Sequence, residues 1–295
     1  MDKKLFLKYL KDIQKKSDNT IEAYGRDVDA FERYLEDNYR QKSLLDVTNT
    51  DIISYVMSMK EERKSSSTIS RKISALRSFY RFCTDSGKID ENPVNDIRMP
   101  RSEKKEIQYL TEDEIETLLE LPDRSPKGIR DRAMLELMYA TGIRVSELIE
   151  LKSENINLKM GFVTCDGSHG KARIVPFGNH AKDALREYVK NGRDIFLKGQ
   201  PGEDRPLFLN YTGEPLSRQG FWKILKAYGK EAGLEDRISP QIIRNSFAVH
   251  MIQNGADLKT LQDLMGHEDM QAMEVYLSLT RSRIKDVYSR THPRA

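Results

Sequence analysis

Four consecutive segments in the first hundred residues repeat apolar side chains at helical spacing. LFLKYLKDI is the first. SDNTIEAYGRDVDAFERYLED opens on Ser, Asp and Asn and carries Ile21, Tyr24, Val28, Phe31 and Leu35 along one side. VTNTDIISYVMSMKEER is capped between Thr48 and Asp51. SSSTISRKISALRSFYRFCTDSG runs from serine caps to Gly87, with Ile69, Ile73, Leu76, Phe79 and Tyr80 on one face. Helices of this kind must bury their stripes against one another, so residues 1–99 are predicted to form a small helical bundle with a basic outer helix.

IDENPVNDIRMPRSEKKEIQYL then brings two prolines, mixed charge and little periodicity, which marks residues 100–107 as a linker. The second domain, 108–295, opens with a Thr111/Glu114 capping box in LTEDEIETLLELP. GIRDRAMLELMYATG reads as a buried helix ending at Gly142, and RVSELIEL starts the next. In GFVTCDGSHGKARIVPFG two β-rich runs flank a Gly-rich loop, the pattern of a hairpin. Beyond His180 the chain is again mostly helical. The fold class is therefore mainly α, with a small hairpin or three-stranded sheet in the second domain.

A length of 295 residues with 38% hydrophobic and 32% charged content is enough for two ordinary cores and argues against disorder. No apolar run approaches the roughly 20 residues that span a bilayer. The basic, amphipathic start lacks the apolar core of a signal peptide. Cys83 and Cys165 stand apart without a partner motif, so a reducing cytoplasm is expected, with no membrane partner. Net charge is only +3, but Arg63, Lys64, Arg71, Lys72, Arg77 and Arg81 fall in one stretch with no acid. Such a stripe is either a solvated helix face or a phosphate-binding surface.

Two arginines stand out. Arg144 follows a Thr-Gly break at a helix start, where backbone N–H groups favour an anion; it could equally pair with Glu147 one turn on. Arg244 lies among Ile242, Ile243, Phe247 and Ala248, so its stem is expected to be half buried, and a buried guanidinium needs an anion. A bound phosphate would serve, as would an acid distant in sequence. Farther on, LQDLMGHEDMQAMEVYLSLT places His267 in a turn after Gly266 and Tyr276 on the following helix. Each feature alone is weak. In order, ATG-x-R-x-SEL, the hairpin ending GKARIVP, R-x-SFA-x-H, LMGH and then Tyr resemble the tyrosine recombinase family, nearest to the Xer-type site-specific recombinases. The resemblance spans the whole chain.

That resemblance implies an N-terminal, SAM-like core-binding domain and a catalytic domain that cuts and rejoins DNA through a 3′-phosphotyrosyl intermediate, in the service of chromosome-dimer resolution. Tyr276 matches the nucleophile, Arg144 and Arg244 the two arginines that hold the scissile phosphate, and His267 a hydrogen-bonding partner of that phosphate. No metal and no cofactor is implied. Two positions depart from the pattern. Gln241 stands where the family usually has His, and it cannot titrate; Asn245, after Arg244, is also commonly His. In the hairpin, Ser168 stands at the position of the usual lysine acid, leaving Lys171, with His169 as a second candidate, to serve the leaving oxygen. An attenuated enzyme, or a DNA-binding accessory protein of the same fold, is the alternative.

DNA contacts are expected from Tyr24, Arg26, Arg63, Lys64, Arg71 and Lys72 in the first domain. In the second, Arg218 and Gln219 at a helix start can read guanine and adenine edges, while Trp222 is expected in the core. The resemblance further implies double-stranded recombination-site DNA and a homo- or hetero-tetramer with a related recombinase, closed by the C-terminal tail RSRIKDVYSRTHPRA. A DNA-translocase activator is a further candidate partner.

Overall fold

The computed structural model describes residues 3–39, 42–97, 106–166, 172–199, 205–266 and 276. The chain divides into two compact units, Met1–Lys105 and Glu106–Ala295. No helix among the described residues is long and apolar enough to cross a membrane.

The first unit holds α1 (Lys3–Asp12), α2 (Asp18–Asn38), α3 (Asn49–Glu61) and α4 (Ser66–Asp85). Local chemistry fixes where they start. Ser17 Oγ accepts from the Thr20 amide and Ser65 Oγ from the Thr68 amide, caps worth about 1 kcal/mol each. Asp51 takes both the amide and the hydroxyl proton of Thr48 at the head of α3. All five residues of the α4 stripe, Ile69, Ile73, Leu76, Phe79 and Tyr80, are buried. They pack with Phe6 of α1 and Val28, Phe31 and Leu35 of α2. The Tyr80 hydroxyl, sealed in this core, donates to the Leu44 carbonyl at 3.0 Å, so its burial leaves no unmet hydrogen bond.

The second unit starts with α5 (Glu112–Glu120), whose reciprocal Thr111–Glu114 bonds are those of the expected capping box. Its central element is α6 (Pro126–Thr141), which buries Ala133, Met134, Leu135, Leu137 and Met138 and so cannot be a surface helix. The charges it buries are matched: Arg130 donates to Asp131 and to the Leu209 carbonyl, and Tyr228 donates to the other Asp131 oxygen. After α7 (Val145–Glu150) comes a three-stranded antiparallel sheet of β1 (Ile156–Asn157), β2 (Phe162–Cys165) and β3 (Arg173–Pro176), in that order. The hairpin register pairs Val163 with Val175 and Cys165 with Arg173. α8 (Asn179–Glu187) runs through a π-helical turn at Tyr188–Gly192 into α9 (Arg193–Leu197). Then follow α10 (Arg218–Glu231), α11 (Pro240–Gln253) and α12 (Leu258–Met265).

One expectation is corrected. Trp222 is not core: it is 49% exposed. The inward ridge of α10 is Phe221, Leu225 and Gly229, and Gly229 lies too close to Ile238 to accept even a Cβ. That ridge leaves the neighbouring column, with Trp222, facing water.

Candidate active site

α12 ends at Gly266 in a left-handed conformation, φ 63°. A helix end leaves carbonyl oxygens without partners and gathers partial negative charge. Each of the last three carbonyls here takes an arginine. Leu264 O accepts from Arg173 Nε at 2.8 Å, Met265 O from Arg244 Nη2 at 2.6 Å, and Gly266 O from Arg144 Nη2 at 2.7 Å. The donors come from β3, α11 and the residue before α7. Three elements distant in sequence thus meet at one helix end. Gly266 is required twice: for its φ, and because a Cβ would lie 2.8 Å from Arg173 Nη1.

Glu147 completes the cluster. Its carboxylate accepts a two-pronged bond from Arg173 at 2.7 and 2.8 Å, a bond from Arg144 Nη1 at 3.1 Å, and the Arg144 amide at 2.7 Å. Of the two uses open to the N-terminus of α7, an external anion or pairing with Glu147, the structure shows the second: the protein's own carboxylate fills it. Burial pushes the Glu147 carboxyl up, but the bonds from Arg173 and Arg144 more than offset it and hold it below its ordinary value.

Arg244 is 4% exposed. Besides Met265 O it reaches the carbonyl of Gly142, the left-handed residue that ends α6. Burial, then the charge of Arg144, pushes its pKa down to about 10. It remains charged at neutral pH, and an anion brought to it would relieve both effects. The expectation of a half-buried guanidinium is exceeded, and the partners that hold it include two carbonyls rather than an acid close in sequence.

Tyr276 is 3% exposed and packs with Phe247, Leu261 and Met265. Its hydroxyl donates to Asn245 Oδ1 at 3.2 Å. The same oxygen accepts Gln241 Nε2 at 2.9 Å, and Asn245 Nδ2 donates to the Gln108 carbonyl at 3.0 Å. The Gln108 bond fixes which end of the Asn245 amide faces the phenol. Burial pushes the Tyr276 pKa up, with Arg244 pulling the other way. Tyr276 is thus a neutral phenol held as a donor. A cavity of about 340 Å³ also opens beside Arg144, lined by Arg144 itself with Ser146, Glu147, Glu150, Asn155 and Asp166.

The structure thus brings Arg144 and Arg244 to one helix end, and Gln241 and Tyr276 to one amide. Lys171, Ser168, His169 and His267 lie outside the described residues. In the sequence Glu147 shows only as a local partner of Arg144, and Arg173 and Asn245 carry no assigned role; the one signal for Arg173 is its place in the hairpin run GKARIVP.

The first-domain candidates are arranged differently. Arg71 and Lys72 both pair with the buried Asp27, and Lys72 is only 14% exposed. Arg26 pairs with Glu22 and Lys64 with Glu62. Arg63 is exposed, and Tyr24 is half-buried. Arg218 and Gln219 are exposed at the head of α10.

Two family models match: the phage integrase family over residues 108–283, and the phage integrase N-terminal SAM-like domain over 4–87. The chain is 42% identical over 279 residues to the tyrosine recombinase XerD of Oceanobacillus iheyensis, covering 95% of this chain and 94% of that protein. It is 39% identical over 292 residues to the tyrosine recombinase XerC of Roseiflexus castenholzii, covering 98% and 92%. A solved XerH site-specific recombinase bound to palindromic difH substrate shares the fold, with a TM-score of 0.77, 20% identity, and coverage of 98% of this chain and 84% of that one. The chain therefore belongs to the phage integrase family, as a tyrosine recombinase that cuts and rejoins DNA at specific sites.

Proposed function

We propose that Tyr276 is the nucleophile of this recombinase and that Arg144 and Arg244 hold the phosphate it attacks. The observation that carries this is the convergence of Arg144, Arg173 and Arg244 on the end of α12, where Glu147 pairs with the first two. A phosphodiester brings one negative charge, and the five-coordinate transition state develops more. Fixed guanidiniums, already held by carbonyls, stabilise that charge without reorganising. The Tyr276 oxygen forms a bond to phosphorus while the bond to the 5′ oxygen breaks. The phenol proton passes to water, since neither amide beside it, Asn245 or Gln241, can take it up, and the departing oxygen gains one, from Lys171 or, in second place, His169. The phosphotyrosyl ester preserves the energy of the broken bond, so rejoining needs no external source. His267 hydrogen-bonds the phosphate, and Glu147 and Arg173 act through the arginines as positioning residues.

A suicide duplex, nicked so that the cleaved strand end diffuses away, tests this. The wild type should accumulate a covalent protein–DNA adduct mapping to Tyr276, and Tyr276→Phe should bind the duplex without forming it. An adduct that persists in Tyr276→Phe would overturn the assignment.

A second reading, an attenuated enzyme, rests on Gln241. Its amide donates to Asn245 and cannot move a proton. The double variant Gln241→His, Ser168→Lys decides between the two: a gain in cleavage of about tenfold or more, the scale general acid–base catalysis supplies, supports attenuation, and an unchanged rate shows that Gln241 and Lys171 suffice. We further propose double-stranded recombination-site DNA bound by a homo- or hetero-tetramer, chromosome-dimer resolution as the setting, and a DNA translocase as activator. The relatives named XerD and XerC support this setting.

A further inference from the structure

Trp222 is the chain's one tryptophan, and it is 49% exposed. One exposed apolar side chain on a surface is ordinary; what sets Trp222 apart is its surroundings. Arg218, Trp222, Lys226 and Lys230 follow one another at four-residue steps, so they form a single ridge along α10. Gln219 and Lys223 lie exposed alongside. The helix carries one acid, Glu231, at its last residue. Lys226 sits over the indole, Nζ 5.6 Å from the ring centroid, and is itself fixed by donating to the Glu235 carbonyl at 2.5 Å. The indole is thus braced from below by a tethered cation and flanked by Arg218 one turn away. Ser217 Oγ caps the helix start, accepting from the Gly220 amide at 3.0 Å.

We propose that Trp222 is a DNA-contacting residue, packing its indole on the apolar surface of the duplex beside the bases that Arg218 and Gln219 face. A ridge of cations interrupted by one aromatic matches a polyanion whose phosphates alternate with apolar deoxyribose and thymine methyl groups. Four residues of helix advance about 6 Å along the axis, so Trp222 and Arg218 reach adjacent features of one groove. The apolar contact adds affinity that salt does not screen, unlike the phosphate contacts of the lysines. The inference rests on the recombinase reading, because it takes DNA binding for granted.

The single tryptophan makes the test direct. The full chain is titrated with a short duplex that it has itself enriched from a randomised pool, while emission and gel mobility are followed together. Tryptophan emission should shift to the blue or quench with the same midpoint as the mobility shift. Trp222→Ala should bind about tenfold more weakly, about 1.4 kcal/mol, with an unchanged salt slope, and Trp222→Phe should recover most of the loss. Replacing thymine by deoxyuridine in the duplex separates the two apolar surfaces. A loss confined to wild type identifies a thymine methyl; no loss identifies deoxyribose. If the duplex is bound but emission and Trp222→Ala affinity do not change, the proposal fails and the recombinase reading stands. Emission that responds to protein concentration alone also overturns it, because the ridge is then a protein contact. A chain that binds no duplex sinks both readings.

Discussion

Arg244 and Arg71 carry the same charged group and are used in opposite ways. Arg71, in the cation-rich stretch most conspicuous in the sequence, keeps its side chain 45% exposed and pairs with Asp27 on the neighbouring helix. Arg244, in an apolar stretch with no density of charge around it, is buried and held by the carbonyls of Gly142 and Met265. The first kind of arginine is neutralised within its own domain, so it adds little field beyond it. The second is anchored by carbonyl dipoles, which fix its position beside Arg144 and Arg173. A site for one phosphate needs guanidiniums fixed in this way, and Arg144, though it also pairs with Glu147, is likewise held by a carbonyl, that of Gly266. Local charge density in a sequence can therefore be cancelled within the domain that carries it, whereas an isolated arginine among apolar residues can be fixed by carbonyls in a buried site.

Substitutions can break or sharpen this contrast. Arg244→Ala should have the largest effect, lowering single-turnover cleavage about 10²- to 10³-fold, the scale of losing one preorganised charge-stabilising donor. Next, Glu147→Gln should destabilise the fold by about 3 kcal/mol in denaturant titrations, because it leaves Arg144 and Arg173 around an uncharged amide. This effect depends on pH. The folded pKa of Glu147 is depressed, so its contribution is fully present above the ordinary glutamate value and is lost as pH falls through the lower folded value. The difference between wild type and Glu147→Gln should therefore shrink below about pH 4. Gly266→Ala should destabilise by about 1–3 kcal/mol through strain at positive φ, and should slow cleavage as well, because Arg173 must move. Arg71→Ala should do least: cleavage on saturating DNA unchanged, with the salt slope of binding reduced by about one at most. Equal losses of cleavage for Arg71→Ala and Arg244→Ala would erase the distinction.

What the sequence made legible was local. Helix starts at Ser17, Ser65 and Thr111, the stripe of α4 and the β2–β3 hairpin depend on neighbours within a few residues, and the structure has them. The helix-end clamp was not legible. Glu147 and Arg173 are 26 residues apart, and Arg144 and Gly266 are 122 apart; nothing in either segment states that the other is near. Trp222 is expected in a core because its size and apolarity suit one. The packing phase of α10 is set instead by Phe221, Leu225 and Gly229, one residue to the side. In the sequence Asn245 shows only as a departure from histidine. Its bond to the Tyr276 hydroxyl depends on a contact 31 residues away.

The central claim is that Arg144 and Arg244 act on the charge of the scissile phosphate. It is tested most directly by cleaving a suicide duplex whose scissile linkage is a methylphosphonate, in which one non-bridging oxygen is replaced by an uncharged methyl group. Arg144→Ala is the variant of choice, since that side chain is 35% exposed and its loss should leave the fold intact. On the ordinary phosphate this variant should cleave about 10²-fold more slowly than wild type. On the methylphosphonate, where there is less charge to neutralise, the gap between the two proteins should close to within a few-fold. A gap of the same size on both linkages would contradict the account.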